Sequence, residues 1–221
     1  MGTKPFVAIA ISRLLGAGGA TLGQRLAKRL GYAYLDRAIL QRVADQIGIN
    51  DADLSRWDEH VCRFWERLAD VFALGPPDAI YSTPPPASTR IQDQQLFQLE
   101  SRVIREAAFQ RNVVVIGRGG FWVLRDHPGL VSVFLHAPPW TRIAAVMRTY
   151  KLRDEREAKE MIDRVDDDRR RFIQTMTGQT PGDGRCYHLC IDTHRAGLDL
   201  AEEMVVSLVA RVQEQIGMAG G

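Results

Sequence analysis

The sequence has almost no excess of either charge. Its 29 lysines and arginines stand against 27 acidic residues, a formal net charge of +2 over 221 residues. So even a balance gives no electrostatic reason to bind nucleic acid or a membrane surface, and any basic site has to come from local clustering. Cysteine is scarce too: Cys62, Cys186 and Cys190 form an odd, sparse set, which excludes a disulfide framework. Cys186 and Cys190 lie four apart with no second Cys/His pair to complete a zinc site, and read as buried or half-buried thiols. His60, His127, His136, His188 and His194 make no nucleophile–base arrangement with them. Long apolar runs are absent. Phe6–Ile11 is too short for a signal sequence or a membrane span, and Phe6 stands where a myristoylation signal carries Ser or Thr. The expectation is a cytoplasmic chain. With 45% hydrophobic and 25% charged residues, a chain of this length forms one α/β domain whose core needs no disulfide or metal.

What is present alternates between two periods. Phe6–Ile11, Tyr32–Leu35, Val113–Ile116, Val131–Leu135 and Tyr187–Ile191 are short apolar runs, mostly β-branched, that read as strands buried on both faces. Between them lie helical stripes. Leu22, Leu26 and Leu30 recur before Gly31, and Ile39 to Ile47 repeat before Gly48. A third stripe runs from Trp57 to Phe72, a fourth from Gln94 to Arg111, a fifth starts at Pro138 or Pro139, and a last runs from Leu198 to Val212. From Lys151 to Arg171 eight basic and eight acidic residues balance, which predicts a solvated helix laced with ion pairs. Residues 75–90 hold five prolines and read as a long connection.

Buried strands alternating with helices predict an α/β fold of three layers, a five-stranded parallel sheet with helices on both faces. Such sheets bind ligands beyond the carboxyl ends of their strands. Arg13–Gly19, Asp36 and Gly117–Gly120 all fall there.

The first of these segments, Ser12-Arg-Leu-Leu-Gly-Ala-Gly-Gly-Ala-Thr21, sits between a strand and a helix, as a phosphate-binding P-loop does. The usual pattern is G-x-x-x-x-G-K-[ST]. Here Arg13 occupies the first glycine position and Gly19 the lysine position. Gly16, Ala17, Gly18 and Thr21 match the loop of nucleoside-monophosphate kinases in place. Ile11-Ser12-Arg13 followed by Gly16-Ala17-Gly18-Gly19 resembles the cytidylate kinase-like family more closely. Tyr34-Leu-Asp36, Gly117-Arg118-Gly119, the segment from Ala137 to Arg142, Asp166-Asp-Asp-Arg169 and Ile191-Asp-Thr193 resemble further segments of that family in the same order. The resemblance covers about residues 6–50 and 95–210 and leaves residues 51–94 unmatched.

The resemblance implies a single P-loop kinase-like domain over 1–221, with an acceptor-side insertion at 51–94 and a lid at 150–185. It implies transfer of the ATP γ-phosphate, with Mg2+, to a small acceptor, CMP or dCMP first. Gly16, Ala17, Gly18, Gly19, Ala20 and Thr21 would hold ATP, with Thr21 on the metal. Arg118, Arg169 and Arg13 would be catalytic. Asp36, Arg42, Arg102, Arg118 and Asp166 would meet the acceptor, and Arg142, Arg148, Arg164 and Arg170 would belong to the lid. Arginine suits these tasks because it stays charged and grips two oxygens at once.

Plainer readings stand beside these. Arg118 would fix a loop carbonyl, Arg13 would pair with Asp36 instead of replacing the loop lysine, and Thr21 and Asp36 would be helix caps. Beside a nucleoside-monophosphate kinase stand a nucleotide sensor without turnover, which the missing lysine favours, and a kinase for a non-nucleotide acceptor, which the unmatched 51–94 favours. The 57–72 stripe is long enough for a homodimer face, but intramolecular core packing is the preferred reading.

Overall fold

The computed structural model describes residues 6–37, 39–40 and 90–218. The 57–72 stripe, the proline-rich connection, most of the 51–94 insertion, Arg42, His60 and Cys62 lie outside the described residues.

The elements follow in the order β1 (Ala8–Arg13), α1 (Gly19–Leu30), β2 (Ala33–Leu35), α2 (Arg90–Gln110), β3 (Val113–Ile116), α3 (Gly120–Val123), β4 (Leu130–His136), α4 (Pro139–Tyr150), α5 (Glu155–Thr177), a 3-10 turn (Gly184–Cys186), β5 (Leu189–Asp192) and α6 (Thr193–Met218). The strands form one parallel sheet in the order β2-β3-β1-β4-β5. All five fall where the apolar runs predict them, within two residues at each end.

The apolar runs need cover on both faces, and the helices supply it. On one face Ile9, Ile11, Val131, Val133 and Leu135 pack with Leu22 and Leu26 of α1 and Val205 and Val209 of α6. On the other, Val113, Val115 and Leu35 pack with Val103, Ile104 and Ala107 of α2. Beside them Ala10 and Phe134 pack with Phe121 and with Ile173 of α5. Glu202, almost fully buried, accepts from Arg25 at 2.6 Å and Arg29 at 3.2 Å and ties α6 to α1.

The charged helix is half as predicted. Its outer side carries the pairs Arg156–Glu160, Lys159–Asp163, Arg170–Asp167 and Arg171–Asp168. Its inner side buries Ala158, Ile162, Ile173 and Thr177. Cys186 is half-buried, but Cys190 is exposed, because it lies on the edge strand β5. Among the described residues no helix is long and apolar enough to cross a membrane.

Candidate functional site

From β1 the chain runs one way to β2 and β3 and then the other way to β4 and β5, so the carboxyl end of β1 opens onto a crevice. The loop after β1 turns through two residues of positive φ, Gly16 at 81° and Gly18 at 80°. Leu14 N–H bonds to Leu135 O at 3.0 Å, which fixes the loop to β4. Gly18 stands at the N-cap of α1, no side chain caps that helix, and its first turn holds no acid. The opening N–H groups of a helix have no partners within it, so this start is open to an anion. Thr21 is therefore not the cap; it lies exposed in the first turn.

The loop is braced by close backbone approaches. A Cβ on Gly16 would stand 2.7 Å from the Arg142 carbonyl oxygen, and one on Gly18 would stand 2.8 Å from Leu198 Cδ2. Thr193 Oγ1 donates toward the Ala17 and His136 carbonyls, each at 3.2 Å. Asp166 accepts from Leu15 N–H at 2.8 Å with one oxygen and from Arg142 with the other. With both oxygens engaged, Asp166 binds the loop to α5 where the resemblance implies an acceptor contact. Arg142, implied as a lid residue, is likewise half-buried against Leu15. Arg169 Nη1 lies 3.4 Å from the Arg13 carbonyl oxygen, so it does approach the loop. Burial pushes the Tyr150 phenol above its ordinary value, while the charges of Arg169 and Arg13 pull it back.

The Arg13 side chain sets out over Gly19. A Cβ on Gly19 would stand 2.6 Å from Arg13 Cγ and 3.1 Å from its Cδ, and a Cβ on Gly117 would collide with Arg13 Nη1. The guanidinium thus arrives at the carboxyl end of β3.

Arg118 follows immediately, with a φ of 51°. Its setting between glycines predicts an unobstructed side chain, yet only 13% of it is exposed. Nε donates to Glu100 Oε2 at 2.7 Å, Nη2 bonds the same oxygen, and Cζ lies 4.2 Å from the centre of the Phe172 ring. It holds a buried carboxylate, not a loop carbonyl. Glu100 is 1% exposed and its Oε1 has no hydrogen-bond partner among the described residues. Burial raises its carboxyl above the ordinary range, against the pull of Arg118 and, more weakly, Arg37. Glu100 is a residue that the sequence reading missed. The signal was there, since it falls on the stripe of Leu96, Val103, Ile104 and Ala107, where a carboxylate needs a partner.

The other implied residues spread out. Asp36 Oδ1 accepts from Ile39 N–H at 3.0 Å, the geometry of a helix cap. Arg102 is exposed on α2 beside a cavity of about 190 Å³ that Phe97, Ser101 and Arg105 also line. Arg148, Arg164 and Arg170 are exposed. Trp140, which no motif singled out, is 65% exposed at the start of α4, edge-on to His194, whose Nδ1 lies 2.9 Å from Thr141 Oγ1. A larger cavity of about 550 Å³ lies away from the loop, between Trp122, Ser132 and Tyr187.

A glycine turn leading into an uncapped helix, with arginines brought to the carboxyl edge of a parallel sheet, defines the P-loop kinase class of α/β proteins. The chain belongs to the cytidylate kinase-like family, whose model matches residues 8–195. Among solved structures it is similar to an uncharacterized protein from Eubacterium ventriosum ATCC 27560, at 21% identity over 92% of this chain and 98% of that one, with a TM-score of 0.68. It is similar more loosely to a gluconokinase from Sinorhizobium meliloti 1021, at 15% identity over 100% of both chains and a TM-score of 0.49. A shikimate kinase from Bacteroides thetaiotaomicron matches at 16% identity over 96% of this chain and 98% of that one, with a TM-score of 0.42. Curated proteins give no match. The family supports kinase activity.

Proposed function

We propose that the protein transfers the γ-phosphoryl group of ATP to a small acceptor, a nucleoside monophosphate such as CMP or dCMP first. The observation that carries this is the open start of α1 behind two glycine turns, with the Arg13 stem packed against it at Gly19. Phosphoryl transfer asks a protein chiefly to position reactants and to place positive charge around the moving group. The N–H groups at the start of α1 hold the donor phosphates. Arg118 meets the acceptor phosphate from the end of β3, its plane fixed by Glu100 and Phe172. Arg169 approaches from α5. Trp140, exposed at the start of α4 beside His194, is the ring we assign to the donor base.

Among the described residues no three His, Cys, Asp or Glu converge on a metal position. That fits magnesium carried by the phosphates, where it keeps most of its water, takes one or two protein oxygens and neutralises developing charge. Thr21, exposed in the first turn of α1, is the side-chain oxygen we assign to it. Residues 150–185 remain the proposed lid, with the part before Asp166 free of the bonds that tie the loop to α5. The 51–94 segment remains the proposed acceptor side, and the cytoplasm the proposed location.

The test is ATP consumption with magnesium and CMP, dCMP, UMP, AMP or no acceptor, with the product identified directly. Acceptor-dependent diphosphate that disappears in Arg118→Ala is the expected result. ATP binding without turnover would point instead to a nucleotide sensor, the reading that Gly19 in the lysine position favours.

A further inference from the structure

We infer that Arg13 supplies the charge of the missing loop lysine, and that position 19 is glycine because the Arg13 side chain fills the space a side chain there would need, whereas Gly117 is set by its own positive φ of 73°. This rests on the kinase reading above and names one of its working parts.

A P-loop lysine rises from the first turn of the helix and lays its charge along the β- and γ-phosphates. In this chain the same residue position is Gly19, and the space its side chain would enter holds the stem of Arg13, with Cγ 2.6 Å and Cβ 3.0 Å from where a Cβ would be. Gly19 has no positive φ, so its backbone does not call for glycine; what excludes a side chain is Arg13. The far end of the corridor is Gly117, against Nη1. The cation therefore comes from the last residue of β1 and not from α1, and crosses the helix start on its way to the end of β3. Two further groups lie near Arg13. Arg169 bonds the Arg13 carbonyl, and the Tyr150 phenol senses both charges.

In the reaction an oxygen of the acceptor phosphate bonds to the γ-phosphorus as the bond to the β–γ bridging oxygen breaks, leaving ADP. Arg13 gains and loses no proton, since guanidinium stays ionised at any working pH. Its fork meets the negative charge that collects on the γ and bridging oxygens. A lysine at 19 and an arginine at 13 are mutually exclusive solutions to one problem.

Five proteins test this: wild type, Arg13→Ala, Arg13→Met, Gly19→Lys and the double variant Arg13→Ala/Gly19→Lys. The readouts are affinity for a fluorescent ATP analogue, acceptor-dependent kcat and melting temperature. Arg13→Met keeps the stem over Gly19 and removes only the charge. Both single Arg13 variants should lose about 100-fold or more in kcat. Gly19→Lys alone should lose a similar factor, because the lysine collides with Arg13. The double variant should recover at least about tenfold over either single one, the non-additivity expected of side chains that share one space. Arg13→Met with wild-type kinetics overturns the inference, and so does a double variant whose losses simply add. If the wild type neither binds the analogue nor turns over, the kinase reading itself fails and takes this one with it.

Discussion

Two loops at the carboxyl edge of the sheet each deliver one arginine, and they hold it in opposite ways. After β1, Arg13 is guided by shape, its stem fitted over Gly19 and its tip against Gly117. After β3, Arg118 is guided by charge, bound by the buried Glu100 and backed by the Phe172 ring. A residue held by shape fails when its corridor narrows, and tolerates changes of charge around it. A residue held by charge fails when its counter-ion goes, and responds to pH.

The largest way to break this contrast is Glu100→Ala. It leaves Arg118 facing an apolar stripe, and losing one partner of a buried pair costs about 3–5 kcal/mol. Denaturant unfolding reads this, and a loss below about 1 kcal/mol would mean that Arg118 is held chiefly by Phe172 and its own backbone. Next comes Gly19→Ala. The added methyl displaces the Arg13 stem, and misplacing a reacting group by about 1 Å costs up to about 100-fold in kcat. Stability should fall by about 1–3 kcal/mol, because the methyl overpacks against the Arg13 stem. Full activity in a variant destabilised in this way would show that the stem need not keep its place.

The third prediction follows Glu100 through pH. Burial holds its carboxyl above 4.5. The folded value is raised above the unfolded one, so the contribution to stability is complete below the unfolded value and is lost as pH rises through the folded one. As pH rises above the ordinary glutamate range, the melting temperature of the wild type should fall relative to that of Glu100→Gln. A constant difference between the two would mean that Arg118 fully offsets the burial. The smallest effect is Asp36→Ala, expected to cost about 1 kcal/mol as a lost cap with acceptor KM unchanged. A raised acceptor KM would return Asp36 to the substrate side.

The strands and their order of use were legible because a strand buried on both faces has to be apolar throughout, as Val113–Ile116 and Val131–Leu135 are. The end of α1 was legible at Gly31, whose αL conformation closes the helix on Ala27. The site was less so, because a motif gives the type of a residue and not its engagement. Asp166 matched a motif but spends both oxygens on Leu15 and Arg142. Arg118 matched one too, yet its partner Glu100 lies 18 positions away on another element, where only topology brings the two together. The short helix Gly120–Val123 opens on the last glycine of Gly117–Gly120 and is too short to show a helical stripe.

The brace on the nucleotide loop also sets an order of events in synthesis. Gly18 is seated against Leu198, and Ala17 is held by the Thr193 hydroxyl, so a loop made among the first twenty residues is completed by residues near the end of the chain. β1 itself pairs with β3 and β4, neither of which is made until the chain has passed its midpoint. Contacts this distant in sequence form late, after the loop-closure entropy has been overcome. A nascent chain halted before α6 would carry the whole glycine motif and still lack the surface that shapes it, so the proposed phosphate site is assembled only once α6 packs against the loop.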